Sequence, residues 1–180
     1  MAKLVKGDKF PCAKVNTLKN EEVCVSSLAG KSGKTAYVFL RYYGCSLSQF
    51  DVATYAKCYA DIKAKGNELV VALQSTAESI SRQCPIQIPF NVICDPEAKL
   101  YKQLDIQPAE DMQQAGGEVT SEKIQRLRAT TDIKHGDYEG IEEQLPAYFV
   151  VDADMNVLVA HYSAEMGDVP TPEDFEKLFA

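Results

Sequence analysis

With 180 residues, 46% of them hydrophobic, the chain is long enough to bury a full core as one domain over 1–180, and its formal net charge of −7 opposes binding to polyanions. No Lys/Arg stripe interleaved with aromatics offers a groove, so nucleic acid is not an expected partner. No run approaches about 18 continuous apolar residues, and Met1 through Asp8 is charged and lacks the apolar core of a secretory signal; no membrane partner is expected, and the cytoplasm is the expected location.

Six cysteines, Cys12, Cys24, Cys45, Cys58, Cys84 and Cys94, are spread through a core-forming domain that needs no staples, so reduced thiols are the default. They show no paired CxxC spacing, and the two histidines, His135 and His161, lie far apart. Neither a metal site nor a cofactor is expected.

In chain order, Ala13–Thr17 and Glu22–Ser26 alternate as two strands of an N-terminal hairpin turned by Leu18 through Glu21. Gly30 through Thr35 superficially suggests a phosphate loop but lacks the required spacing after an apolar strand. Thr35–Arg41 is β-branched and aromatic, with a continuous apolar centre that predicts an interior strand covered on both faces. Ser46–Lys65 reads as a helix, with Val52, Ala56, Tyr59 and Ile62/Lys63 as its packing stripe and Gly66 as its stop. Glu68–Gln74 is a second buried-type strand. Ser75, with Glu78 three residues later, is the expected cap of a helix ending before Pro85.

Ile86–Cys94 predicts a third strand interrupted at Pro89, and Asp95-Pro96-Glu97 starts a short helix running to about Leu104. Residues 107–144 are polar and Gly-containing, with one helix across Ser121–Thr131, and read as an insertion. Pro146–Val151 and Asn156–His161 form a hairpin through Asp152-Ala153-Asp154-Met155. Thr171-Pro172-Glu173-Asp174 caps a final helix through Phe179.

Cys45 is the leading functional candidate. It sits where a buried strand hands over to a long helix, against the free N–H groups and positive dipole end that stabilise a thiolate. The competing reading is a small apolar side chain filling the junction, since free cysteine is among the most buried residues. Glu142-Glu143 and Asp152/Asp154 read as solvated loop acids. The histidines read as hydrogen-bonded structural residues, with His135 the better candidate to pair with a thiol because its loop leads into Pro146.

The element order is that of an α/β thioredoxin-like fold, a central mixed sheet flanked by helices, with an added N-terminal β-hairpin and the polar insertion. Three segments, Phe39-Leu40-Arg41-Tyr42-Tyr43-Gly44-Cys45, Pro89 through Glu97 and Gln144 through Asp152, resemble the redoxins of the alkyl hydroperoxide reductase/thiol-specific antioxidant group. Within it they resemble peroxiredoxin-like proteins whose thiol follows an Arg-Tyr-x-Gly-Cys run. The resemblance covers the chain apart from 107–144. It implies a thiol-dependent antioxidant oxidoreductase: the Cys45 thiolate attacks a peroxide or disulfide substrate and is restored by a thioredoxin- or glutathione-like thiol reductant. It also implies homodimers as a common assembly, although no feature here defines an interface.

Peroxiredoxins proper carry Pro-x-x-x-Thr-x-x-Cys and a distant Arg; this chain has Val38 and Tyr42 at those Pro and Thr positions. Tyr42 can offer a phenolic O–H, and Arg41 a positive charge if it turns inward. Compared with thioredoxin, Cys45-Ser46-Leu47-Ser48 is a redox motif whose second cysteine is serine. Ser48 can donate to the thiolate, as in single-thiol relatives, but cannot close a local disulfide. Cys84 falls roughly where the thiol peroxidase branch carries its resolving cysteine. Pro146 stands where thioredoxin-like proteins hold a cis-proline facing the active thiol, so a cis bond is expected there. Two alternatives stay open: a single-cysteine thiol–disulfide exchange protein, and a catalytically quiet binding or redox-sensing module.

Overall fold

The computed structural model describes residues 3–19 and 21–180. Seven strands form one mixed sheet: β1 (Lys14–Thr17), β2 (Glu22–Cys24), β3 (Thr35–Phe39), β4 (Glu68–Leu73), β5 (Asn91–Cys94), β6 (Ala147–Val151) and β7 (Val157–Tyr162). Their order is β2-β1-β5-β4-β3-β6-β7. Strands β3, β4 and β5 run parallel, as their crossover helices α1 (Ser46–Ala64) and α2 (Ala77–Gln83) require. The two hairpins extend the sheet antiparallel on either side. Asn20, in the first hairpin's turn, lies outside the described residues, as do Met1 and Ala2.

Alternation divides the core between two faces. Tyr37, Phe39, Val70, Ala72, Ile93 and Phe149 face Phe10, Val25 and the helix α3 (Lys99–Gln103), with Leu100 and Tyr101. Val38, Leu40, Leu69, Val71, Val92 and Val150 face α1, α2 and the C-terminal α6 (Pro172–Leu178) through Val52, Tyr55, Ile80 and Phe175. Every residue of β3 and β4 is buried, so both read as continuous apolar runs instead of alternating ones. Helix α6 starts on a capping box between Thr171 and Asp174.

Several local expectations are corrected. Thr76, not Ser75, caps α2, accepting from the Ser79 N–H at 3.1 Å. The chain over 86–90 is not a strand and bends at Ile86 and Phe90, and β5 begins only at Asn91, beyond Pro89. Asp95 accepts from the N–H groups of Lys99 and Leu100 at 2.9 and 2.8 Å, so α3 begins later than Pro96. Segment 107–144 holds a one-turn helix α4 (Met112–Ala115) besides α5 (Glu118–Thr130). No peptide bond among the described residues is cis, so the Leu145–Pro146 bond is trans. Trans is favoured by about 0.5–1 kcal/mol even before proline. The chain passes directly into β6, with the Pro146 carbonyl accepting from the Ser163 N–H at 3.1 Å.

Candidate active site

The carboxyl ends of β3 and β4 and the start of β6 meet at one end of the sheet, because Phe39 pairs with both Ala72 and Ala147. Leu40 through Cys45, Gln74-Ser75 and Gln144 through Pro146 therefore converge there. This is the end of a parallel sheet at which ligands ordinarily bind. Cys45 is the N-cap of α1, and its carbonyl accepts the Gln49 N–H at 3.0 Å. Its side chain makes no capping hydrogen bond, but as N-cap the residue stands at the positive dipole end of the helix.

The Arg41 guanidinium turns inward, where Nη1 donates to Cys45 Sγ at 3.1 Å and Nη2 to Glu142 Oε2 at 3.2 Å. Both Arg41 and Cys45 are buried, at 7% and 2% exposure. Arg41 Nε is buried with no hydrogen-bond partner among the described residues, so one donor beside the thiol is free. Such an orphan usually costs about 1–3 kcal/mol.

Tyr42 does not donate to the thiol. Its hydroxyl bonds to Glu142 Oε1 and lies 3.0 Å from His135 Nε2. Burial, and then the bond to Glu142, push the Tyr42 phenol far above its ordinary range, so it remains a proton donor at neutral pH. His135 Nδ1 is 2.8 Å from the Gly136 carbonyl, which only accepts, so Nδ1 carries a proton. The Tyr42 hydroxyl has a single proton, which the bond to Glu142 uses, so toward His135 Nε2 it presents its oxygen. Tyr138 stacks on the imidazole with ring centroids 4.0 Å apart.

Segment 107–144 covers this group. Ala109, Ala115, Ile124, Leu127 and Ile133 pack with Tyr42, Cys45, Leu47 and Phe50 into one apolar cluster. Lys123 pairs with Asp51 of α1 at 2.5 Å with both side chains buried, a pair whose disruption typically costs about 3–5 kcal/mol. Beyond α5, Gly136 N–H donates to the Gly44 carbonyl at 2.7 Å, and Gln49 bridges the carbonyls of Gly44 and Lys134 at 3.0 and 2.9 Å. Gly44 has to be glycine because a Cβ there would lie 2.0 Å from the Asp137 carbonyl oxygen. Two buried amides close the end of the segment: Gln74 Nε2 donates to Gln144 Oε1 at 2.8 Å, and Gln74 Oε1 accepts from the Ile141 N–H at 2.8 Å.

The other candidates lie as follows. Ser48 is buried one turn into α1, while the donor to Cys45 Sγ is Arg41. Leu145 packs into the Cys45 cluster, and Pro146 is buried at the start of β6. Cys84 ends α2 against the Tyr43 phenol and faces the Ile86 carbonyl at 3.3 Å. It belongs to a different apolar cluster from Cys45, and both are free thiols. His161 stacks on Tyr148 at 4.6 Å and bonds Asp168 at 2.7 Å, away from this group. Glu142, expected to be a solvated loop acid, is instead the carboxylate that joins Arg41 to Tyr42. Its only sequence signal is an acid two residues ahead of the Gln144-Leu145-Pro146 motif. Ser75 supports the turn into Cys45 by accepting the Tyr43 N–H at 2.9 Å and bonding Glu139.

The family model described as AhpC/TSA antioxidant enzyme matches residues 55–165. The chain belongs to the AhpC/TSA antioxidant enzyme family. The match runs through 107–144 and starts beyond Cys45. No curated protein matches the chain. Among solved structures, a mutant of peroxiredoxin 6 from Arenicola marina is similar with TM-score 0.68 and 11% identity, covering 98% of this chain and 72% of that one. Thiol peroxidase from Chromobacterium violaceum gives 0.62 and 14%, covering 98% and 87%. A Chlorobium tepidum protein assigned as the thiol:disulfide interchange protein DsbE gives 0.61 and 18%, covering 98% and 96%. At these identities the likeness carries the thioredoxin-like fold of this AhpC/TSA chain.

Proposed function

We propose that the chain is a thiol-dependent antioxidant oxidoreductase of the peroxiredoxin-like kind, working in the cytoplasm with Cys45 as its reacting thiol. The observation that carries this reading is the Arg41 guanidinium, which holds Sγ with one N–H while a second, at Nε, has no acceptor among the described residues. A thiolate beside a fixed cation and a free donor has what peroxide reduction needs: stabilised negative charge on sulfur and a hydrogen bond for the peroxide oxygen. Sulfur attacks the terminal oxygen of ROOH and the O–O bond breaks. With one proton taken up, the products are Cys45 sulfenic acid and ROH.

Recovery condenses the sulfenic acid with a second thiol, releasing water and forming a disulfide. Either an external thioredoxin- or glutathione-like thiol or Cys84 can supply it. For Cys84, the end of α2 and the turn into α1 must unwind locally. The near-complete burial of Cys45 favours a small peroxide over a protein disulfide as oxidant, and residues 107–144 act as its lid. The Glu142 carboxylate, itself bonded by Tyr42, holds the Arg41 guanidinium in place against the thiol.

The test is peroxide consumption by the reduced protein with a thioredoxin- or glutathione-based regenerating system, beside exchange with a small mixed disulfide. Turnover of peroxide that is lost in Cys45→Ser supports the proposal. Exchange without peroxide turnover assigns a single-cysteine exchange protein instead. Neither activity leaves a binding or sensing module.

A further inference from the structure

The N-terminal hairpin carries thiols that the Cys45 site does not use. Cys24 closes β2 opposite Lys14 of β1, and Cys12 lies two residues ahead of Lys14, so the strand period brings both cysteines to one side of the hairpin. Their sulfur atoms are 3.3 Å apart, and Cys24 Sγ also lies 3.1 Å from Ser26 Oγ. Cys12 is exposed and Cys24 half-exposed, whereas Cys45 and Cys94 are buried. From 3.3 Å, the sulfurs need only about 1.3 Å of further approach to reach a disulfide bond of about 2.05 Å. The chain can supply it, because Cys12 precedes β1 and Cys24 is the last residue of β2 before the 3-10 turn Val25–Leu28.

We propose that Cys12 and Cys24 form a second redox site, a surface dithiol that exchanges with low-molecular-weight disulfides and closes reversibly into an intramolecular disulfide. It does not depend on Cys45. Ser26, through its hydroxyl and then its backbone N–H, and next the Cys12 thiol, hold Cys24 below the ordinary thiol range, while the same sulfur–sulfur hydrogen bond raises Cys12. Cys24 is therefore the attacking thiolate. It displaces one thiolate from RSSR, giving a Cys24–S–SR mixed disulfide. That thiolate takes the Cys12 proton, and Cys12 sulfur then attacks Cys24 Sγ and expels the second RS⁻, which is protonated from solvent. Overall, two protein thiols and RSSR become one Cys12–Cys24 disulfide and two RSH. The protein is oxidised and the small disulfide reduced.

The test uses full-length protein carrying Cys45→Ser, fully reduced, then incubated with oxidised glutathione. Free thiols are blocked by alkylation and peptides mapped without reduction. The expected result is a Cys12-to-Cys24 linked peptide, with two glutathiones released per protein and full reversal by excess reduced glutathione. A further Cys12→Ser change, with circular dichroism unchanged, should stop the reaction at a glutathione adduct on Cys24. Cys12 and Cys24 remaining unlinked, whether free or as separate glutathione adducts, would overturn the proposal. So would no preference for Cys24 over the half-buried Cys84 in the Cys12→Ser protein.

Discussion

Two buried thiols stand at the carboxyl ends of parallel strands, and their surroundings separate them. Cys94 ends β5 at 4% exposure among apolar side chains, and burial alone pushes its thiol up to about 12. Cys45 follows β3 at 2% exposure, but Arg41 donates to its sulfur and it opens a 19-residue helix. Burial by itself thus makes an inert core thiol. What distinguishes the β3 end is one charged donor and one helix terminus, both delivered by the turn Arg41 through Gly44.

The widest separation is expected from serine replacements. Cys45→Ser should abolish peroxide and disulfide chemistry at this site, while Cys94→Ser should leave it intact and cost about 1–3 kcal/mol for an unpaired buried hydroxyl, read by urea unfolding. Arg41→Met should make Cys45 resemble Cys94. A charge-assisted hydrogen bond of about 1.5–3 kcal/mol corresponds to a roughly ten- to hundredfold loss in Cys45 alkylation rate at neutral pH. Glu142→Gln should sharpen the contrast in the opposite direction, since it removes the carboxylate that shares the Arg41 charge. An increase of about two- to fivefold in Cys45 alkylation is expected, within the range of a partly exposed ion pair. The smallest effect on chemistry is assigned to Gly44→Ala, whose Cβ displaces the Asp137 backbone. It should cost about 1–3 kcal/mol of stability and expose Cys45 to larger alkylating reagents, with little change for small ones.

Much of the fold was readable because its signals are local. The continuous apolar runs of β3 and β4, the stripe on α1 and the Thr171 cap each lie within a few residues. The failures are local competitions too: Thr76 outcompetes Ser75 as cap because Ser75 is engaged by Tyr43 and Glu139. At the site, the strand-to-helix junction marks Cys45, but Glu142 carries no comparable signal. Its partner Arg41 is 101 positions away, and only the docking of 107–144 over the sheet end brings them together. The same holds for Gln74 and Gln144, two buried amides that bond each other across 70 positions. The direction in which Tyr42 points is likewise set by that segment and not by the Arg-Tyr-x-Gly-Cys run.

The most direct measurement mixes the reduced protein with one equivalent of hydrogen peroxide in the presence of a sulfenic-acid trap and maps every cysteine by mass spectrometry over time. The trapped sulfenate should appear at Cys45 before any other cysteine changes, with Cys94 remaining a thiol throughout. Cys45 remaining reduced while other thiols are oxidised, or reacting no faster than Cys94, would contradict the assignment of Cys45 as the reacting thiol.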